Sequence, residues 1–162
     1  GKSNTLTNNI MQELHNLLDK LESEISSFEK VNLAVSTGSV GWHIEHSFKL
    51  IDQIVTTCRD SDPKTYQWQF NLKRFLIMSV AKKFPRGKAK APKIVRPEGD
   101  ITAETLVLSL EKVKENLKNW ESLDKNAHFP HPFFGVINKK KTEEFLVLHT
   151  NHHWLIIRDI LK

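Results

Sequence analysis

Apolar residues recur along this chain at helical spacing, and nowhere for long at the alternating spacing of strands. Ile10, Leu14, Leu17, Leu18, Leu21, Ile25 and Phe28 follow one another at steps of three and four. They predict a long amphipathic first helix, with Thr5 or Thr7 at its start. Gly38 and Gly41 flank Ser39, which opens a second helix reaching about Cys58. Its wheel puts Val40, Ile44, Phe48, Ile51 and Val55 on one side. Trp42, His43, His46, Leu50 and Ile54 fall roughly opposite, so the helix is expected to be covered on two faces. Pro63 marks a break, and a third helical stretch is expected from Tyr66 to Phe84, carrying Trp68, Leu72, Phe75, Leu76 and Val80. Lys82 to Pro97 reads as a loop because of Pro85, Gly87, Pro92 and Pro97. Thr102 opens a helix with a clean stripe of Leu106, Leu110, Val113, Leu117 and Trp120. His128 to Gly135 reads as an aromatic, proline-rich loop, and a last helix is expected from Lys141 to Leu161. No internal repeat and no glycine-rich phosphate loop is visible. Four long helices and an accessory one predict a single all-α domain over 1–162, a four-helix bundle.

The last helix changes the picture. With His149 set at zero, His153 lies about 40° away, one turn on. Phe145, Leu146, Ile156, Ile157 and Ile160 point within about 80° of the same direction, whereas Asn151, Trp154 and Arg158 point away. The His149/His153 pair is therefore centred on the core stripe, with His152 at its edge. Buried imidazoles cost free energy unless their nitrogens find partners. An i, i+4 pair, with Cβ atoms roughly 6 Å apart, can chelate one ion. His46, on a covered face of the second helix, can meet that pair across the core. Three neutral imidazoles leave a coordination position open for water or substrate, which is the catalytic rather than the structural type of site. Packed, hydrogen-bonded histidines are the plainer alternative. His43 is a supporting residue or an alternative ligand. His15 is read as a boundary residue and His128 and His131 as loop packing. Glu45, about 100° off the metal-facing direction, receives no role.

Composition narrows the field. Eight histidines stand against one tyrosine and one cysteine, Cys58. A lone cysteine excludes an intrachain disulfide and a cysteine-based zinc site. No apolar run is long enough for a membrane span, and no membrane partner is expected. No signal peptide is visible, so a cytoplasmic location is expected. The formal charge is +5, with 24 Lys and Arg against 19 Asp and Glu. Lys82 to Pro97 supplies seven of the basic residues and no acid, leaving 17 basic against 19 acidic elsewhere. The basicity thus belongs to one segment. That segment carries no aromatic residue between Lys88 and Pro97 and no nucleic-acid motif, so nucleic acid is not the expected partner.

Three stretches carry a family resemblance. They are Ser39-Val40-Gly41-Trp42-His43-Ile44-Glu45-His46, the basic Pro85-Arg86-Gly87-Lys88-Ala89-Lys90-Ala91-Pro92, and His131-Pro132-Phe133-Phe134-Gly135 followed by His149-Thr150-Asn151-His152-His153. In this order they resemble the DinB-like superfamily, and more narrowly a DinB-related bacterial family of unestablished function. The resemblance implies an up-down-down-up four-helix bundle. It implies a divalent metal, zinc or nickel foremost, on His46, His149 and His153. In related branches such a metal activates a low-molecular-weight thiol for S-transfer; other relatives are metal-dependent hydrolases. The wider superfamily carries Trp-Ser or Trp-Thr ahead of the second-helix histidine. Here that region reads Ser36-Thr37-Gly38-Ser39, which keeps His43 as the alternative to His46 for the second-helix ligand, with His46 favoured because it aligns with the motif's terminal histidine.

The resulting expectation is a metal-dependent enzyme of thiol transferase or hydrolase type, acting on a small-molecule substrate. Residues Lys82 to Arg96 are candidates to anchor a thiol cofactor's carboxylates. The resemblance also implies a homodimer. The alternatives are a non-catalytic bundle with packed histidines or a structural metal, and a binder of anionic surfaces through the basic loop.

Overall fold

The computed structural model describes residues 2–87 and 99–162, and side chains from residue 10 onward. The fold is mostly helical with one small sheet. Helix α1 spans Lys2–Ser23 and passes into a 3₁₀ turn, Ile25–Ser27. It starts before Thr5 and Thr7, so neither caps it. Helix α2 spans Val40–Asp60, and the Ser39 hydroxyl caps it by accepting from the Trp42 amide at 3.0 Å. Helix α4 spans Ala103–Leu117 and opens on a reciprocal box between Thr102 and Thr105. Helix α5 spans Lys139–Ile160, started by the Asn138 side chain accepting from the Lys141 amide.

Helix α1 packs on α5, and α2 packs on both α4 and α5. This explains the two apolar faces of α2. Val40, Ile44, Phe48, Ile51 and Val55 are buried on one side, and His43, His46, Leu50 and Ile54 on the other. Gly41 is needed at the crossing: a Cβ there would lie 2.9 Å from the Ile101 side chain and 3.0 Å from the Phe28 carbonyl.

Two expectations are corrected. The stretch Tyr66–Phe84 is not one helix. Residues 66–71 are extended, and α3 consists of one α-helical turn, Leu72–Arg74, running into a π-helical stretch, Phe75–Ala81. The Asn71 side chain accepts from the Arg74 amide and so starts the helix late, and Lys82 at φ 52° ends it. The apolar residues expected on that helix are mostly outside: Trp68, Leu72 and Val80 are 67%, 59% and 62% exposed.

The loop His128–Gly135 is instead part of a β-hairpin. Strands β1, His128–His131, and β2, Gly135–Asn138, pair antiparallel with Phe129 opposite Ile137. Pro130 is tolerated because a two-stranded ribbon leaves each strand an outer edge needing no donor. Gly135, at φ 71°, makes the turn into β2. Most of the basic segment, residues 88–98, lies outside the described residues.

Candidate metal centre

The histidines on the inner faces of α2 and α5 come together. His46 Nε2 lies 3.3 Å from His149 Nε2, and His149 Nε2 lies 3.2 Å from His153 Nε2. One nitrogen from each of the three residues lies within 4.8 Å of the others. His46 and His153 are buried, and His149 is half-buried.

Proton bookkeeping distinguishes this cluster from ordinary packing. A neutral imidazole nitrogen has either one N–H or one in-plane lone pair. His149 Nε2 faces two other Nε2 atoms, so it can complete only one good hydrogen bond between them. The second contact must then share that same proton or lone pair, or set two like groups against each other. His149 Nδ1 is also buried, with no hydrogen-bond partner among the described residues. A cation that accepts all three lone pairs removes the conflict. Separations of 3.2 and 3.3 Å fit nitrogens sharing one ion at about 2.0–2.1 Å.

Burial disfavours protonation of His43, His149 and His153. His149 and His153 are pushed well below the usual imidazole value, first by burial and then by neighbouring histidines. Burial, with the charges of His46, His152 and Arg86, lowers His43 to about 4. Neutral imidazole is the form that binds a metal.

The geometry separates His43 from His46. His43 Nδ1 sits 2.9 Å from His153 Nδ1, and His43 Nε2 sits 2.8 Å from the Ser36 hydroxyl. Both ring nitrogens are therefore engaged away from the Nε2 cluster. If His153 presents its Nε2 lone pair inward, its Nδ1–H donates to His43. His43 must then carry its proton on Nε2 and donate to Ser36. One chain of hydrogen bonds fixes both tautomers. The Gly38 amide donates to the same Ser36 oxygen at 3.1 Å and holds it in place.

Aromatic rings enclose the cluster. Trp42 stacks on His46 with centroids 5.0 Å apart at 16°, and Phe145 stacks on His149 at 5.8 Å and 28°. Phe84 reaches in from beyond α3, with its ring 6.2 Å from His149 and 5.9 Å from His152. Arg86, two residues on, pairs with Asp159 of α5 at 2.8 Å and ties that segment to the end of α5.

The remaining sequence candidates lie outside the cluster. His15 is exposed. His131 stacks on Phe134 at 4.3 Å, and its Nδ1 accepts from the Phe133 and Phe134 amides at 3.0 Å each, so it shapes the hairpin turn. His128 Nδ1 bonds the Asn126 carbonyl oxygen. His152 meets His153 edge-on without joining the nitrogens. Glu45 accepts from the Ser109 hydroxyl of α4, consistent with its direction on the wheel. Sequence reasoning did not single out Ser36 or Phe84. Ser36 precedes the helix whose periodicity was readable, and Phe84 is brought in by a chain reversal with no periodic signature.

The chain belongs to the family described as "Protein of unknown function (DUF1569)", whose model matches residues 11–159. No curated protein and no solved structure matches it. The family match brings no activity with it.

Proposed function

We propose that the protein is a divalent-metal protein of DinB-like type, its helices forming an up-down-down-up four-helix bundle with His46, His149 and His153 as ligands. The observation that carries this reading is the convergence of three Nε2 atoms, two of them sharing the single proton or lone pair of the third. Imidazole suits zinc and nickel. A divalent ion held there would lower the pKa of a bound thiol or water and so supply a nucleophile at neutral pH.

The chain's own residues do the rest. Ser36 and His43 hold His153 in the tautomer that presents its inward lone pair. Trp42 and Phe145 fix the planes of His46 and His149 by stacking. Phe84 and the other rings keep the cluster dry, which strengthens any charge interaction inside it. With only three protein ligands, one position remains for a small molecule. This favours an enzyme of thiol-transferase or hydrolase type over a purely structural site.

Cobalt titration of chelator-treated protein tests the reading. One equivalent should produce visible absorption bands, and a small thiol added afterwards should bring up a thiolate-to-cobalt band in the near ultraviolet. Visible bands that thiol and water analogues leave unchanged would make the site structural. Absence of any band would remove the metal reading.

A further inference from the structure

Among the described residues, apolar side chains of α3 and of the arm before it stand largely exposed. Trp68 and Phe70 on the arm are followed by Leu72, Phe75, Leu76 and Val80, all between 47% and 67% exposed. They form one surface. Phe70 and Phe75 lie 6.1 Å apart, and the Arg74 guanidinium lies against the Trp68 ring at 5.9 Å. The Lys73 ammonium sits 5.3 Å from the Phe133 ring, which is itself half exposed. Leu72, Leu76 and Val80 recur every four residues along the outer side of α3. At ~200 Å² per ring, the four aromatics alone expose roughly 400 Å², already large for an unpartnered patch.

Charge decides what fits this surface. Residues 63–97 contain ten Lys and Arg and no Asp or Glu, while the rest of the chain has 14 basic against 19 acidic residues. Lys64, Lys73, Lys82 and Lys83 are exposed, and none forms an ion pair among the described residues. A second copy docking this face on itself would bring like charges together with no acid in the segment to answer them. A bare phosphate backbone would answer the charge but leave the apolar rings in water. An anionic lipid surface answers both: the rings enter the boundary between headgroups and acyl chains while the lysines meet lipid phosphates.

We propose that the arm and α3 form a docking face for anionic phospholipid surfaces. The chain lies on such a surface and does not cross it, and no helix among the described residues is long and apolar enough to do so. Trp68 and Phe70 are the inserting side chains, and Lys73, beside the exposed Phe133 ring, supplies charge on the same face.

Co-sedimentation of the full chain with vesicles tests this. Vesicles of phosphatidylcholine mixed with phosphatidylglycerol should retain the protein roughly tenfold better than phosphatidylcholine alone, with retention falling as salt rises. Lys73→Glu should cost roughly tenfold, and so should Trp68→Ser with Phe70→Ser. These positions are exposed, so thermal midpoints should match the parent. Should the Trp68/Phe70 pair fail to fold, Phe75→Ser reads the same face. Equal retention on both vesicle types, or none on either, overturns the proposal. So does a dimer in sedimentation velocity that Phe75→Ser converts to monomer, which would assign the face to a second copy.

Discussion

Helix α5 carries two buried polar clusters, and they behave differently. At its first turn, Thr142 and Glu143 are fully buried. The Thr142 hydroxyl donates to the Asn138 carbonyl at 2.7 Å, and Glu143 Oε1 accepts from the Trp120 indole at 2.9 Å. Each donor meets an acceptor, leaving over Glu143 Oε2, which has no partner among the described residues. Two turns later, His149 and His153 meet His46 with three nitrogens aimed at one place. Burial and polarity are common to both ends. What separates them is convergence: the first cluster joins two packed elements, whereas the second brings together three imidazole nitrogens that could hold a cation.

This contrast can be broken from either side. The largest effect should come from Trp120→Ala, which empties a fully buried ring position and removes Glu143's donor. It should cost about 3–5 kcal/mol in chemical denaturation. Metal affinity of the folded fraction should stay the same. A large change in affinity would join the two clusters.

Metal binding should act only at the other end. A divalent ion at about 100 times its dissociation constant should stabilise the parent by about 2.7 kcal/mol. The same ion should give no shift in His149→Ala. Equal shifts in both proteins would place the ion elsewhere. His43→Ala should leave the ligands in place but free the His153 tautomer, weakening metal affinity about 10–100-fold in isothermal titration. Complete loss of binding would make His43 a ligand.

The pH responses have opposite signs. Folding holds His149 and His153 below the ordinary imidazole value, so they stay neutral as pH falls through that value. Bound metal should therefore be released at a lower pH than free imidazole would release it. Burial raises the Glu143 carboxyl above the usual carboxylate range despite the Trp120 hydrogen bond. A raised folded value means stability that is complete below the ordinary carboxylate range and is lost as pH rises through the folded one. Glu143→Gln keeps an acceptor for Trp120 and should flatten that loss, by about 1.4 kcal/mol per unit of raised pKa. A denaturation series across neutral pH would show it. Parallel curves would mean that Glu143 ionises as an exposed carboxylate does.

Much of this was legible in the chain, for identifiable reasons. Helices α2, α4 and α5 have repeating apolar stripes, and a wheel needs only those. The same wheels aimed His46, His149 and His153 inward, because burial direction follows from periodicity. The rest required tertiary information. Trp68, Phe75 and Val80 read as part of a helix, and only the packed structure shows that they stand largely exposed. Pro130 and Pro132 hid a hairpin whose strands are four residues each, too short for alternation to register. The choice between His43 and His46 rests on ring-nitrogen geometry, which spacing of three residues along one helix cannot report.

The central claim is that three histidine nitrogens from two helices share one divalent ion. Elemental analysis of untagged protein, alongside His149→Ala and His153→Ala with folding verified by circular dichroism, tests it most directly. From the three-ligand geometry, about one ion per chain is expected in the parent and almost none in either variant. Unchanged metal content in both folded variants, or no metal in the parent even after exposure to zinc or nickel, would contradict it.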